Sequence, residues 1–395
     1  MGILALSPIL AVHFPRILAF LPGILGLISL FWWRYIEKQS IVFSKNMFLS
    51  CALVCGIVLV SCAWSIDPNA ALKKSFSITA LITLGLLLGQ FCLNIDRSRL
   101  RPYYWFLSLG VIFAALLCAF DLYFGLPIYN FTRDGAYETN LSVLNRGAVV
   151  IVFLFFSALL LNKVTDISVF RTRLLAAFMF LSVALMLSLG KGQSAQLAFL
   201  GGLIGMAVFP SRYSLSFRVL SFIVIGCLVL TPFIVQLLYA HFVLDIQHLE
   251  WFRKANAGHR IEIWHVVMQY ALNQPYYGHG VEATRYVTDY RHDFVYQDES
   301  AILHPHNFSI QIWMEYGVIG IGLFSGLLFS IIESIREMNI SKRPYVVALF
   351  FAVLIVASTG HGMWQSWWIG VVILVISLTT LITQERIEHP TSSTE

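Results

Sequence analysis

The chain has 395 residues, of which 58% are hydrophobic and only 12% are charged, and its mean hydropathy is +0.76. Soluble domains carry about a quarter charged residues, so 21 acids and 26 bases are too few to cover a soluble core of this length. The composition therefore excludes a soluble protein and predicts a protein that lies in lipid.

Apolar runs long enough to cross a bilayer follow one another along the chain. A hydrocarbon core about 30 Å thick needs about 20 apolar residues in a helix, and backbone polar groups in lipid must be hydrogen-bonded within the protein. Residues 2–15 form a shorter apolar stretch that could supply a twelfth span. We therefore expect an all-α, polytopic integral membrane protein of about 12 transmembrane helices. The eleven longer runs are 17–33, 47–64, 76–94, 104–123, 147–162, 174–190, 194–209, 218–239, 311–333, 344–359 and 366–383.

The distribution of Lys and Arg predicts the orientation of these spans. With the N-terminus inside and twelve spans, 15 of the 26 bases fall in short cytoplasmic loops. The other 11 fall on the external side or near its membrane boundary, where the inside-positive bias disfavours them. Such a cluster indicates an anionic ligand. The alternative is that soluble loops simply carry charges, and we favour that alternative for Arg253, Lys254 and Arg291.

The longest predicted loop covers residues 240–310, on the external side. It holds 5 of the 11 external bases and most of the histidines, and loops of this length are usually functional. Apolar residues at helical spacing predict an amphipathic helix over 259–273. The predicted organisation is N-terminal transmembrane helices in 1–239, this loop as lid and catalytic segment in 240–310, C-terminal transmembrane helices in 311–384 and a short cytoplasmic tail in 385–395.

The cysteines and the aromatic clusters favour structural roles. The six cysteines lie in or beside apolar runs without metal-binding or redox spacing, which favours free thiols. The aromatic residues near the ends of several spans predict interfacial belts. These belt residues are Phe31, Trp32, Trp33, Trp364, Trp367 and Trp368.

A dense polar motif precedes the run at 311–333. His304 and His306 flank Pro305, and Asn307 follows. A histidine at the external end of a span can act as a general base near neutral pH, and the alternative is a pair of interfacial histidines at a helix start. No carboxylate or cysteine cluster completes a metal site here, so we expect neither a metal nor a cofactor.

Three cations lie near the predicted external face. Arg146 begins a span, Lys191 lies in a glycine-bracketed turn, and Arg260 begins the amphipathic helix. Charge at membrane depth is costly, so such residues usually serve function or pair with an acid. A guanidinium fork suits a pyrophosphate, whereas a cation that binds lipid headgroups is the alternative for each residue taken singly.

The order of the motifs resembles that of the O-antigen ligase and polymerase superfamily. The 260–320 block carries the specific part of this resemblance, whereas much of the rest is hydropathy. The motifs are Ala63-Trp64-Ser65-x-x-Pro68, Asn145-Arg146-Gly147, Ser188-Leu189-Gly190-Lys191-Gly192, Arg260-x-x-x-Trp264, Pro275-x-x-Gly278-x-Gly280, His304-x-His306-Asn307 and Glu315-x-Gly317-x-x-Gly320.

The resemblance implies a metal-independent glycosyltransferase of lipopolysaccharide biosynthesis. Its donor would be O-antigen glycan on undecaprenyl pyrophosphate and its acceptor lipid A–core, at the periplasmic face of the bacterial inner membrane. Membrane lipids would surround it, and no nucleic acid is implied as a partner.

The same resemblance implies roles for individual residues. His306 would deprotonate or orient the acceptor hydroxyl, and Arg260 would neutralise the departing pyrophosphate. Lys191 would be the third catalytic residue. It stands where the family typically has arginine, and lysine keeps the charge but loses the bidentate fork. The further substrate-binding residues would be Arg146, His304, Asn307 and Arg285.

Three other functions stay open on the sequence. An O-antigen polymerase and a protein O-oligosaccharyltransferase share the scaffold and differ in their acceptors. A secondary transporter would show inverted repeats and interrupted helices, and no repeat is visible in this chain.

Overall fold

The computed structural model describes residues 2–37, 44–95, 104–132, 137–165, 168–243, 248, 250, 252, 256–288, 290 and 302–384. Within these ranges every regular element is helical, which confirms the all-α prediction. The predicted tail and the bases Arg133, Arg253, Lys254 and Arg291 lie outside the described residues.

Sixteen α-helices are used in the description that follows, numbered in chain order among the described residues. They are α1 (Gly2–His13), α2 (Leu21–Trp32), α3 (Lys45–Val60), α4 (Pro68–Asn94), α5 (Tyr104–Phe124), α6 (Pro127–Phe131), α7 (Asn145–Val164), α8 (Val169–Leu189), α9 (Gln193–Val208), α10 (Ser214–Val229), α11 (Thr231–Phe242), α12 (Ala257–Ala271), α13 (Ala283–Tyr286), α14 (Phe308–Glu337), α15 (Arg343–Thr359) and α16 (Ser366–Thr383).

The helices confirm a multi-pass membrane protein. Seven described helical segments, built on α3, α4, α5, α7, α8, α14 and α16, are long and apolar enough to cross a membrane. Helices α10 and α11 together meet the same criteria but are bent by 67°, and the apolar helices α2, α9 and α15 are shorter. Each of the eleven predicted runs coincides with one of these elements, whereas the total of about 12 spans stays a prediction.

The chain divides into two compact units. The first contains residues 1–44, 84–191 and 371–395, and the second contains residues 45–83 and 192–370. In the first unit, α7 is the most buried helix, and α5 packs against α1, α7 and α8. A Cβ on Gly147 would lie 2.9 Å from the carbonyl oxygen of Ala11, so the glycine permits the close approach of α7 to α1.

The second unit contains most of the motifs. Its helix α9 packs along α15, while α10 packs on α14. The predicted amphipathic helix is present as α12, which packs against α11 and α14. Its apolar face, which includes Ile263, Val267 and Met268, is buried in one core with Ile312 and Met314 of α14. This core fixes the position of α12 beside the start of α14.

Helix α14 is interrupted at Gly317, where φ is 55° and ψ is −147°. A loop before α13 supplies hydrogen bonds in place of those that the interruption removes, as backbone groups inside a membrane protein require. Gly317 is needed because a Cβ would lie 2.3 Å from the carbonyl oxygen of Pro275. The four replacement bonds, 2.8 to 3.1 Å long, run from the amides of His279, Gly280, Val318 and Ile319 to the carbonyls of Met314, Glu315, Pro275 and Tyr276, respectively.

The loop at 275–280 also contacts the early Ala-Trp-Ser motif. The indole of Trp64 donates to the carbonyl of Tyr277 at 3.1 Å, and the two rings pack edge to face. A Cβ on Gly280 would lie 2.6 Å from Cα of Ser65. Three of the sequence motifs therefore meet at the interruption in α14.

The predictions for cysteine and tryptophan have different outcomes. All six cysteines are free thiols, as predicted. The belt interpretation is wrong for Trp33, Trp364, Trp367 and Trp368, which are only 6%, 4%, 4% and 6% exposed. Residues of an interfacial belt must face lipid. These four instead pack inside the protein, where polar side chains accept hydrogen bonds from the indoles of Trp364 and Trp367.

Candidate functional site

Helix α12 holds the His-Pro-His-Asn motif in place. The indole of Trp264 donates to the carbonyl of Pro305 at 2.7 Å. At the other end of the motif, the side chain of Asn307 caps α14 by accepting from the amide of Ser309 at 2.9 Å. Asn307, predicted to bind substrate, thus has a structural role as an N-cap. Both ends of the short motif are fixed, so its histidines have defined positions.

The carboxyl end of α15 joins three polar side chains. The guanidinium of Arg260 and the hydroxyl of Ser194 both donate to the carbonyl of Thr359, and Nδ1 of His306 lies 2.7 Å from the carbonyl oxygen of Gly360. The last carbonyls of a helix lack intrahelical donors and carry partial negative charge, so they bind such donors well. The helix end therefore brings Arg260 and His306 to one place, as the predicted site requires.

The contact with Gly360 determines which nitrogen of His306 is basic. A carbonyl oxygen only accepts, so Nδ1 carries the proton and Nε2 carries the lone pair of the neutral ring. Burial lowers the pKa of His306 from its usual value; the hydrogen bond to Gly360 raises it, and the charges of Arg260 and His259 lower it further. The ring is therefore neutral near pH 7. Its backbone has a φ of 55°, a strained conformation that the fixed ends of the motif maintain.

His304 is held differently from His306. Gln365 accepts from the indole of Trp367 through Oε1, so its Nε2 donates to Nε2 of His304 at 3.1 Å. The lone pair on Nε2 of His304 therefore accepts the hydrogen bond from Gln365. The lone pair of His306 is on Nε2, the ring nitrogen that does not contact Gly360. The two imidazole rings are 4.1 Å apart and pack edge to face. Of the two, His306 has the geometry of a base.

Arg285 lies beside this site in an ion-pair cluster. Glu282 bridges Nε of Arg285 at 3.2 Å and Nζ of Lys74 at 2.8 Å. Arg285 also lines a small pocket of about 10 Å³ with His304 and Glu315. That volume is about enough for one water molecule and far too small for a sugar ring. In this conformation the Arg285 side chain is therefore held by Glu282 rather than presented to a substrate-sized cavity.

Lys191 and Arg146 belong to the first unit. Lys191 is exposed in the turn between α8 and α9, and Arg146 lies in the first turn of α7. Arg146 lines a cavity of about 420 Å³ together with Arg16, a second of the predicted external bases. Beneath it, the buried side chains of His13 and Asp121 are paired at 2.6 Å. Two arginine residues thus line one cavity in the first unit.

Several residues at the site were missed from the sequence. Glu315 is fully buried in α14, and its carboxyl accepts from the amide of Gln311 and the indole of Trp364. In the sequence, Glu315 was noted only as part of the Glu-x-Gly-x-x-Gly motif, and no pattern singled out Gln311. The carbonyl groups of Thr359 and Gly360 could not be found, because a backbone acceptor has no residue signature.

The part of the chain that the structure describes contains no candidate metal-binding site. No group of three or more His, Cys, Asp or Glu side chains there could hold a metal ion. The two histidines of the motif instead contact a carbonyl and an amide.

Comparison with known proteins shows which family the chain is similar to. Residues 174–325 match a family model described as O-antigen ligase. This segment is therefore similar to the O-antigen ligase family. The matched segment contains Lys191, Arg260 and His306, together with Glu315 and the interruption in α14, whereas Arg146 and the carboxyl end of α15 lie outside it.

Individual relatives extend the similarity over most of the chain. A candidate polysaccharide ligase of Rickettsia typhi is 26% identical over 353 residues, which cover 84% of this chain and 80% of the relative. One of Rickettsia bellii is 26% identical over 343 residues, covering 85% of this chain and 80% of the relative. One of Rickettsia prowazekii is 31% identical over 131 residues, covering 31% and 32%. These family relationships indicate an enzyme of the ligase type.

Proposed function

We propose that this protein is an O-antigen ligase, which transfers O-antigen glycan from undecaprenyl pyrophosphate to lipid A–core. The observation that carries the proposal is the meeting of Arg260 and His306 at the carboxyl end of α15. A base and a fixed cation are the two groups that transfer from a lipid pyrophosphate requires, because the donor is already activated and needs no nucleotide.

The proposed step is a displacement at the anomeric carbon of the donor. The acceptor hydroxyl oxygen forms the new bond to that carbon, and its proton passes to Nε2 of His306. The bond from the same carbon to the pyrophosphate oxygen breaks, and undecaprenyl pyrophosphate leaves with the bonding electrons. Arg260 is placed to stabilise the charge that grows on this leaving group. Its guanidinium stays charged, although burial lowers its pKa.

The remaining predicted residues take supporting roles in the proposal. Lys191 and Arg146 would bind the phosphates of the donor, and Arg285 would reach the substrate after release from Glu282. His304 and Asn307 fix the conformation of the motif through their own contacts. The reaction would take place on the periplasmic side of the inner membrane, where both lipid substrates are exposed, without metal or cofactor.

Reconstitution with defined substrates tests this function. Purified protein in vesicles would receive undecaprenyl-pyrophosphate glycan and lipid A–core, with a chelator present and nucleotide absent, and the glycan would be followed by gel. We expect glycan on lipid A–core. Longer glycan on the lipid carrier would instead indicate a polymerase, and glycan on an added protein acceptor would indicate a protein O-oligosaccharyltransferase.

A further inference from the structure

Glu315 is a fully buried carboxyl group that contacts the segment carrying the histidine anchors. It lies in α14, two residues before the interruption at Gly317, and is 0% exposed. Burying a carboxyl group is costly unless hydrogen bonds compensate. Its two oxygens accept from Nε2 of Gln311 at 2.8 Å and from Nε1 of Trp364.

Both bonds lead to the non-helical segment 360–365 between α15 and α16. Trp364 belongs to this segment directly. Gln311 donates to Glu315 through Nε2, so its Oε1 is turned toward the segment and accepts from the amide of Met363 at 2.9 Å. One carboxyl group therefore holds two consecutive residues of the segment.

The same segment supplies the contacts of both histidines. Gly360 accepts from Nδ1 of His306, and Gln365 donates to Nε2 of His304. Gly362 lies against the His304 ring, because a Cβ there would be 3.0 Å from Cγ. The position of the segment thus determines which way Nε2 of His306 points.

We propose that Glu315 is a positioning residue, which orients His306 for proton transfer by anchoring the 360–365 segment through Trp364 and Gln311. The inference rests on the proposed function for the chemistry that His306 performs. It predicts that weakening the anchor lowers kcat and leaves the KM for the lipid donor nearly unchanged, because the residues proposed to bind the donor phosphates lie outside the segment.

Two variants remove opposite ends of the anchor. Glu315→Gln keeps the size but presents an N–H group to one of two donors, and Trp364→Phe keeps an aromatic ring but removes the indole donor. Each should lower kcat about tenfold, the change expected when one buried hydrogen bond is lost. The double variant should lose less than the product of the two single effects, because both changes weaken the same anchor. Trp313→Phe is the matched control, since its indole donates to the carbonyl of Leu228 in the same unit and not to Glu315.

A second readout does not depend on the function. Diethyl pyrocarbonate modifies neutral imidazole, and mass spectrometry gives its rate at His306 in detergent. We expect at least a twofold change in this rate in Glu315→Gln and Trp364→Phe, and none in Trp313→Phe. Wild-type kcat together with wild-type His306 reactivity in Glu315→Gln would overturn the inference. If the wild-type protein transfers no glycan, the proposed function fails alone, and the reactivity of His306 still decides the role of Glu315.

Discussion

The bond from Trp264 to Pro305 offers the sharpest test of how the histidine motif is positioned. Trp264→Phe keeps an aromatic ring but removes the indole donor, which lies 2.7 Å from the carbonyl oxygen of the buried residue Pro305. Leaving a buried carbonyl without its partner costs about 1–3 kcal/mol. If the loss of this bond displaces His306 and raises the activation free energy by the same amount, kcat falls by about five- to 150-fold, because about 1.4 kcal/mol corresponds to tenfold. The assay is the initial rate of glycan transfer in vesicles at saturating donor.

A matched control separates positioning from general destabilisation. Trp313→Phe loses an equivalent bond, from the indole to the carbonyl of Leu228 at 3.0 Å, in a residue that is 8% exposed. We expect it to lower the unfolding temperature as much as Trp264→Phe does, while kcat stays within about twofold of wild type. Equal losses of kcat in the two variants, or no loss in Trp264→Phe, would refute the reasoning.

The other predictions follow from the same contacts. The lowered pKa of His306 predicts that kcat/KM rises with pH through a midpoint below 6.5 and is level above it; a pH–rate profile with a midpoint above 6.5 would contradict this. Arg260→Lys should lower kcat/KM about tenfold and Arg260→Ala about 100-fold or more, because lysine keeps charge without the fork, whereas equal losses would argue against recognition by the fork. Gly317→Ala should destabilise the protein by at least about 2 kcal/mol in denaturant unfolding, whereas Gly322→Ala, with open space around it, should not. Transfer should persist in EDTA, and a loss that added divalent metal restores would contradict a metal-independent site.

Much of the fold could be predicted from the sequence because lipid imposes simple rules. Every apolar run predicted as a span is helical, and the helix around Arg260 and Trp264 begins and ends within two residues of its predicted bounds. The interruption of α14 at Gly317 could not be predicted. It depends on hydrogen bonds from a loop about 40 residues away in sequence, and no local pattern contains that information.

The candidate site could be predicted only in its charged and aromatic side chains. Arg260 was found because charge is costly at a membrane boundary, and His306 because it lies in a dense polar motif before an apolar run. Their roles came from the family resemblance. Their meeting point was not found, because it consists of the backbone carbonyls of Thr359 and Gly360. Trp364 was predicted to lie at the membrane interface because it belongs to a cluster of aromatic residues near the end of a span. Its hydrogen-bond partner Glu315 lies nearly 50 residues away in the sequence.

The most direct test of the proposed chemistry compares wild-type protein with His306→Ala in a single-turnover experiment. Labelled glycan on undecaprenyl pyrophosphate would be bound in vesicles, lipid A–core added, and transfer followed with time after both proteins are shown to be folded. The proposal predicts transfer by the wild-type protein and a rate lower by about 10²–10⁴-fold in the variant. Transfer by His306→Ala at the wild-type rate would contradict a role for His306 as the base.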